Sequence, residues 1–299
     1  MSYRLSFDAP LADTLRATAV ERFDHAIAAL GGEDRAEGVH EVRKDLKKAR
    51  SLLRLVRPGI ETRTYRRENG GLRDIARGVS GVRDADVLVE TVDKLAGRCV
   101  GRLPERSFAT LRERLAERAD RAGDPAIDGL VGALGQAGAR VDGWGLEGCD
   151  AATLTAGAVR AYARGRAALG AVEGDPSDEH LHEWRKRVKD LWYHQRLLRD
   201  AWTGPLKAMA DESSGLSDLL GDDHDLAVLA ARLVESDLAE GSAALDRDTL
   251  LTLVADRRGE LQAGALRLGR RIYAETAKAY GRRLARYLEA AEAHATAPH

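Results

Sequence analysis

The sequence predicts an all-α protein, and three observations support that class. Of its 299 residues, 32% are charged and only 5% are aromatic, and there are only seven prolines, a composition typical of helical proteins. Apolar residues recur with helical spacing along most of the chain, and strand-like alternation is hard to find. A nine-residue motif also occurs twice, at residues 39–47 and 181–189, with a shift of 142 residues. The repeated unit is therefore about half of the chain.

Helix-ending residues divide the first half into segments. Gly31-Gly32 ends the first segment, and Pro58-Gly59 ends the second. Asp84, which follows Ser80-Gly81, is placed to cap a later helix. The periodicity between these breaks predicts helices over residues 11–30, 38–56, 61–79 and 107–121, and another that begins near residue 84.

The glycine-rich segment 141–148 predicts the boundary between two halves, residues 1–142 and 143–299. After it the plan of the first half restarts. Helices are predicted over residues 154–169 and 178–200, with a loop over residues 174–177. Gly204-Pro205 ends the motif helix as Pro58-Gly59 ends its counterpart. Residues 84–88 also match residues 225–229 at a shift of 141, so two separate matches share nearly one offset.

The first motif helix is predicted to have one apolar face and one cationic face. On a helical wheel, the cationic stripe lies within about 60° of His40. The stripe contains His40, Arg43, Lys44, Lys47, Ser51 and Arg54. The opposite side contains Val42, Leu46, Ala49, Leu53 and Val56. Glu41 and Asp45 fall off the stripe, toward a flank, whereas a helix built only for solubility would interleave acids with bases.

The second motif helix keeps the stripe and varies its surroundings. Its stripe contains His182, Arg185, Lys186, Lys189, Tyr193 and Arg196. Its apolar side contains Trp184, Val188, Leu191 and Leu198. Away from the stripe the copies diverge, since Asp45 corresponds to Arg187. Two equivalent cationic stripes predict one shared anionic ligand, bound where both stripes point inward.

Positive charge is concentrated in one stretch of a nearly neutral chain. The formal net charge is −1, but residues 40–83 contain 13 lysines and arginines and five acids, which gives +8. On the third predicted helix, Arg66, Arg73 and Arg77 share one face, and Gly70 would let a ligand approach the backbone. We therefore expect a basic groove, with the compensating acids on the exterior.

The sequence indicates no metal site, cofactor or membrane segment. Cys99 and Cys149 lack metal-type spacing, and two thiols favour a reducing compartment. No apolar run reaches signal-peptide or membrane-span length, so we expect a soluble, cytoplasmic protein. The run 222–225, Asp-Asp-His-Asp, is metal-like, but adjacent helical residues diverge by about 100° and cannot all bind one ion.

The repeated motifs resemble the two signature helices of the CHAD family, the conserved-histidine α-helical domain. The resemblance rests on residues 39–48 and 181–191, and residues 83–88 resemble the second recurring block of the family. It extends over about residues 11–288 and is of the stand-alone type, without the triphosphate-tunnel domain found in some members. The later block of the second half, residues 222–225, departs from this pattern because it is more acidic, which places its ligand role in doubt.

The resemblance implies two four-helix bundles, related by a pseudo-two-fold axis around a basic central channel. It also implies non-catalytic binding of inorganic polyphosphate, with targeting to polyphosphate granules. The residues predicted to bind are His40, Arg43, Lys44, Lys47, Arg50, Arg54, Arg66, Arg73, Arg77, Arg83, His182, Arg185, Lys186, Lys189, Arg196 and Lys207. Rows of Lys and Arg suit a ligand that carries about one charge per phosphate and has no bases.

Two other functions stay open from sequence. A polyphosphatase or metal-dependent phosphohydrolase would use the histidines, but Glu41 and Glu183 are predicted to point away from the stripe, and no carboxylate cluster for magnesium is visible. A module that binds RNA or DNA backbones would use the same cations, but no base-reading or base-stacking motif appears. Phosphate release with magnesium and competition with nucleic acid distinguish these functions from polyphosphate binding.

Overall fold

A computed structural model describes residues 3–79, 84–101, 108–120, 127–235 and 247–295 of the chain. The elements within these ranges are helices, which confirms the all-α fold class. The α-helices are α1 (Leu11–Leu30), α2 (Arg35–Val56), α3 (Thr62–Gly78), α4 (Asp84–Arg98), α5 (Ala109–Asp120), α6 (Ile127–Ala139), α7 (Ala151–Gly174), α8 (Asp178–Leu198), α9 (Thr203–Glu235), α10 (Arg247–Ile272) and α11 (Ala277–Ala295).

Capping residues explain where the observed helices depart from the predicted ones. Helix α1 has the predicted bounds, but α2 begins at Arg35, because the Asp34 side chain accepts a hydrogen bond from the Glu37 amide at 3.0 Å. Helix α7 begins before the predicted residue 154, because Asp150 accepts from the Thr153 amide at 2.7 Å. These caps satisfy amides that lack a partner in the first turn and so extend each helix toward its N-terminus.

Both halves place their helices in the same order around the motif helix. Helix α1 packs against α2 and α6, and α7 packs in the same way against α8 and α11. Short 3₁₀ turns follow both motif helices, at Arg57–Gly59 and Arg199–Ala201. Helix α9 spans the region that corresponds to both α3 and α4. The motif helices contact each other, and α2 also contacts α7. The two halves therefore meet along the helices that carry the repeat.

The apolar faces of α2 and α8 are buried as predicted. On α2 the predicted face is at most 1% exposed, and on α8 the predicted residues are equally inaccessible. One apolar cluster joins residues of both halves around these helices, and a second joins α4, α5, α9 and α10. None of the helices in the described ranges combines the length and apolarity that a membrane span requires. With their apolar sides in the core, α2 and α8 direct their cations away from it.

The predicted boundary segment folds into two 3₁₀ turns, Val141–Trp144 and Leu146–Gly148. Gly145 joins them with a φ of 73°, a left-handed conformation that favours glycine. Trp144 and Leu146 are buried, and both turns contact α1. This segment therefore anchors the start of the second half on the first half.

Candidate functional site

The cationic faces of α2 and α8 approach each other at Lys47 and Lys189, which are equivalent positions of the repeat. Burial, followed by the charges of Arg185 and Lys47, lowers the pKa of Lys189 to about 7. Because α2 and α8 also contact each other, the two stripes meet near these lysines. We call Lys47, His182, Arg185, Lys186 and Lys189 the basic groove.

A pair of histidines lies at one end of the basic groove. The rings of His182 and His224 have centroids 4.5 Å apart and are tilted by 35°. Burial lowers the pKa of His182, and His224, Lys186 and Arg185 lower it further. Its Nδ1 is buried and has no hydrogen-bond partner within the described ranges. Residue spacing could not place His224 beside the motif, because the two histidines are far apart in the chain.

Helix α9 brings acids to the basic groove, which differs from the expectation that the compensating acids lie outside it. Burial raises the pKa of Asp225, while the charge of Arg185 opposes that rise. Burial also raises the pKa of Asp218, against the charge of Lys189. The groove is therefore cationic on α2 and α8 and acidic on part of α9.

The acidic run of α9 does not converge on one point, as the helical geometry predicted. Asp222 accepts a hydrogen bond from Lys94 at 2.8 Å, whereas Asp223 accepts from Arg258 at 3.0 Å and from Gln262 at 2.9 Å. These carboxylates therefore hold different cations on α4 and α10.

The motif glutamates contact the lysines of the stripe, contrary to the expectation that they point away from it. Lys44 forms an ion pair with Glu41, and Lys186 forms the equivalent pair with Glu183 at 2.7 Å. The helical wheel was misleading here, because long side chains three residues apart bend toward each other. Both lysines are thus partly neutralised before a ligand binds.

The stripe of α2 begins at His40 and Arg43. The Arg43 guanidinium donates to the Val79 carbonyl at 3.5 Å. One ligand atom each of Glu37, His40 and Glu41 lie within 4.8 Å of one another, a group that sequence analysis did not identify. Because Lys44 already pairs with Glu41, this group has a positive charge where a cation would bind.

Two predicted arginines, Arg50 and Arg54, lie beyond Lys47 near the C-terminal end of α2. Arg54 donates to Asp190 of α8 at 2.7 Å, and the Arg50 guanidinium donates to the Asn69 side chain at 3.3 Å. Burial, followed by the charge of Arg54, lowers the pKa of Arg50 to about 10. Arg50 and Arg54 therefore belong to a crowded cationic environment that continues beyond Lys47 along α2.

Two predicted residues of the second half make other contacts. The Arg196 guanidinium lies over the rings of Trp192 at 5.2 Å and Tyr3 at 5.8 Å. Lys207 is exposed near the start of α9 and pairs with Asp211 at 2.6 Å. No contact joins either of them to the basic groove within the described ranges.

The predicted arginines of α3 lie on an exposed surface. Arg73 and Arg77 contact Asp74 at 3.4 Å and 3.3 Å, and Arg66 is exposed on the same helix. The charge of Arg73 contributes to the lowered pKa of Arg50, so this face borders the cations of α2. Arg83 lies outside the described residues.

Three further arginines gather beside Arg54. Arg57 comes from the 3₁₀ turn after α2, and Arg160 and Arg164 come from α7. We call Arg54, Arg57, Arg160 and Arg164 the arginine cleft. The i, i+4 spacing of Arg160 and Arg164 was visible in the sequence, but it lies outside the motif, and only the packing of α7 on the end of α2 relates it to Arg54.

Two solved structures share the fold of this chain. PptA from Streptomyces chartreusis is similar in structure, with a TM-score of 0.62 and 16% identity, over 89% of this chain and 100% of that chain. The CHAD domain from the plant Ricinus communis has a TM-score of 0.54 and 18% identity, over 94% of this chain and 93% of that chain. At these identities the likeness concerns the fold.

The family comparison is the more decisive one. No curated protein sequence matches the chain. The family model of the CHAD domain matches residues 15–234, which is most of the chain and includes both motif helices. This match agrees with the resemblance that the paired motifs indicated. The chain belongs to the CHAD domain family.

Proposed function

We propose that the chain binds inorganic polyphosphate in the basic groove and does not hydrolyse it. The observation that carries the proposal is that α2 and α8 contact each other, with the equivalent cations Lys47 and Lys189 close enough for the charge of one to lower the pKa of the other. A polyanion that contacts both helices would relieve the repulsion between these cations, and Arg185 would bind non-bridging oxygens with its planar guanidinium. Association with polyphosphate granules in the cytoplasm would follow from the same binding.

The chemistry of the basic groove favours polyphosphate over nucleic acid. Its five residues offer ammonium, guanidinium and imidazole groups, which suit phosphate oxygens. None of the five is a Phe, Tyr or Trp side chain on which a base could stack. Asp225 and Asp218 of α9 already interact with Arg185 and Lys189. A ligand must compete with these carboxylates, and a ligand with a high density of negative charge does so best.

The carboxylates that are paired with cations favour binding without hydrolysis, whereas Asp218 and Asp225, whose pKa values burial raises, are the acids that a hydrolase would use. Asp222 and Asp223 each accept hydrogen bonds from basic side chains, and Glu183 is held by Lys186 and Arg187. A carboxylate that is already paired with a cation is a poor general base, because the cation stabilises its charged form. These groups therefore balance charge in our proposal.

Binding of long-chain polyphosphate, measured by isothermal titration calorimetry, tests the proposal. Arg185→Gln combined with Lys189→Gln should weaken binding by at least about tenfold, since two charge-assisted contacts are lost. The matched control is Lys278→Gln with Arg282→Gln, which removes two exposed cations from α11. Circular dichroism should show the same helical content in all three proteins. Wild-type affinity in the groove variant would contradict the site.

Two further measurements separate the alternative functions. Incubation of the wild type with polyphosphate and magnesium should release no phosphate, and release that the groove variant lacks would establish a hydrolase. Polyphosphate should displace a bound RNA oligonucleotide at a much lower phosphate concentration than the RNA needs to displace polyphosphate. Equal displacement in both directions would favour a nucleic-acid binder.

A further inference from the structure

A separate cavity lies between α4, α9 and α10. Its volume is about 240 Å³, below the roughly 300–1,000 Å³ of sites for drug-sized ligands, so it suits a smaller molecule. Its wall includes Lys94, Leu95 and Arg98 of α4, Asp225 and Leu226 of α9, and Arg257 of α10. We call this cavity the α4–α9 pocket. The motif helices α2 and α8 contribute none of its described lining residues.

One part of the pocket wall is apolar. Leu95 and Leu226 are each 4% exposed, because they also belong to the apolar cluster that joins α4, α5, α9 and α10. Thr91 lines the pocket as well, but its hydroxyl already donates to the Val87 carbonyl at 2.6 Å. This part of the wall therefore suits an aliphatic group of a ligand.

Two arginines of the pocket meet at a single carboxylate oxygen. Arg98 Nη2 and Arg257 Nη1 donate to Glu260 Oε2 at 2.7 Å and 2.8 Å. The side chains of Arg98 and Glu260 are 49% and 57% exposed, and ion pairs between exposed groups stabilise little. Each guanidinium keeps further N–H donors, so the two arginines can bind the carboxylate of a ligand.

Asp225 provides the opposite charge in the same pocket. Its carboxylate forms no hydrogen bond or ion pair within the described ranges, whereas Asp222 pairs with Lys94 at 2.8 Å. Burial raises the pKa of Asp225, and the charges of Arg185 and Lys94 oppose that rise. An ammonium group beside Asp225 would stabilise its charged form. The pocket therefore offers a carboxylate for a cationic group and two arginines for an anionic one.

A free α-amino acid carries both of these charges on one carbon atom. An aliphatic amino acid also has a side chain that matches the apolar part of the wall. A phosphate chain has neither a cationic nor an apolar group, and Asp225 would repel it. The pocket thus differs from the basic groove in the chemistry that it can recognise.

We propose that the α4–α9 pocket binds a free α-amino acid with an aliphatic side chain. Arg98 and Arg257 hold its carboxylate, Asp225 accepts hydrogen bonds from its ammonium group, and Leu95 and Leu226 contact its side chain. This site does not depend on polyphosphate binding in the basic groove.

Calorimetry with leucine and two analogues of the same shape tests the proposed ligand. Isocaproate lacks the ammonium group and isoamylamine lacks the carboxylate, so each should bind at least about tenfold more weakly than leucine. Isocaproate that bound as well as leucine would contradict the role of Asp225, and isoamylamine that did so would contradict the role of the arginines. No measurable binding of leucine, isoleucine or valine would overturn the proposal.

Substitutions in the wall test the location of the site. Asp225→Asn keeps the shape of the side chain and should weaken leucine binding by at least about tenfold. The matched control Glu212→Gln removes an exposed carboxylate from the same helix and should leave binding unchanged. Circular dichroism should show equal helical content in both variants. Wild-type leucine affinity in the Asp225 variant would contradict the site.

The groove variant separates this site from the basic groove. Arg185→Gln with Lys189→Gln should bind leucine at least as tightly as the wild type, because the charge of Arg185 near Asp225 opposes an ammonium group. The same variant should lose polyphosphate, so the two sites can fail independently. Loss of leucine binding in the groove variant would place the amino acid in the groove and overturn the proposal.

Discussion

The two motif helices end in regions that are equivalent in sequence but differ in what covers them. At the end of α8, the N-terminal segment lies against the helix, where the Leu5 amide donates to the Leu197 carbonyl at 2.8 Å. Tyr3 is buried beside it and donates to the Lys48 carbonyl at 2.7 Å. At the end of α2 the corresponding region is the arginine cleft. The end of α8 is thus covered by the side chains of residues 3–7, whereas the end of α2 is lined by arginines.

The chain before each half accounts for this difference. Residues 3–7 run across the end of α8 and bury Tyr3, Leu5 and Phe7. The segment before α7 instead folds into the 3₁₀ turns that pack on α1. Arg196 and Arg54 are equivalent, but the first contacts the ring of Tyr3 and the second contacts a carboxylate. The segments that pack around the two arginines differ between the halves, and these segments determine what each arginine contacts.

The charges beside the two regions are also reversed. In the first half, Asp45 is buried and holds Arg22 at 3.2 Å, Lys48 at 2.8 Å and His25 at 2.5 Å. The repeat replaces Asp45 by Arg187 and Lys48 by an acid, Asp190. One carboxylate thus serves several basic groups in both regions, but the Asp45 side chain is 1% exposed and that of Asp190 is 12% exposed.

The largest effect that tests this comparison is the loss of the buried acid. Asp45→Ala should destabilise the protein by about 3–5 kcal/mol, because Arg22 would stay buried without that carboxylate. Asp190→Ala should cost less, because Arg54 and Arg187 can reach solvent. Urea denaturation of both variants measures the difference. Equal losses of unfolding free energy in the two variants would show that Asp45 and Asp190 stabilise the protein equally.

Loss of the N-terminal cover should come next. Leu5 is fully buried, so Leu5→Ala should lower the free energy of unfolding by about 2–5 kcal/mol. Tyr65→Ala, which alters the half-exposed rim of the arginine cleft, should cost less in the same denaturation experiment. A Leu5 variant as stable as the wild type would mean that residues 3–7 do not stabilise the end of α8.

The close approach of α7 to α2 gives a third test. Gly157→Ala should destabilise the protein by about 1–3 kcal/mol, because its new Cβ meets the backbone of Leu55. The control Gly170→Ala has open space around it and should be neutral or stabilising by up to about 1 kcal/mol. Thermal unfolding compares the two, and a neutral Gly157→Ala would contradict the packing argument.

The smallest expected effect concerns the equivalent lysines of the basic groove. Lys189 has a pKa of about 7 and faces Arg185, Lys47, Asp225 and Asp218, so it gains a proton as the pH falls through that value. The polyanion prefers the protonated form. Long-chain polyphosphate should therefore bind more tightly at about pH 6.5 than at about pH 8.5, by up to about tenfold for each unit by which binding raises that pKa.

Two substitutions show whether this dependence belongs to Lys189. Lys189→Gln should flatten the plot of affinity against pH in this range, whereas Lys47→Gln should lower the affinity and move the pH dependence to higher pH, because the charge of Lys47 lowers the pKa of Lys189. The histidines His182 and His224 have pKa values lowered below their ordinary range, so they gain charge only at more acidic pH. An unchanged slope in the Lys189 variant would assign the effect to other groups.

Local signals predicted much of the fold and part of the site. The apolar and cationic faces of α2 and α8 follow from residue spacing, and their apolar residues are buried as predicted. The equivalence of Lys47 and Lys189 was also visible in the repeat. The wheel failed for Glu41 and Glu183, because it places Cβ atoms and not the ends of flexible side chains.

Sequence alone determined the helical class, the duplicated motif and the amphipathic character of each motif helix, because these depend on contacts within a few residues. Tertiary structure decided which equivalent region is covered by residues 3–7 and which one receives the arginines of α7. It also brought the acids of α9 to Lys189. These contacts join residues far apart in the chain, and they follow from how whole helices pack, which local periodicity does not specify.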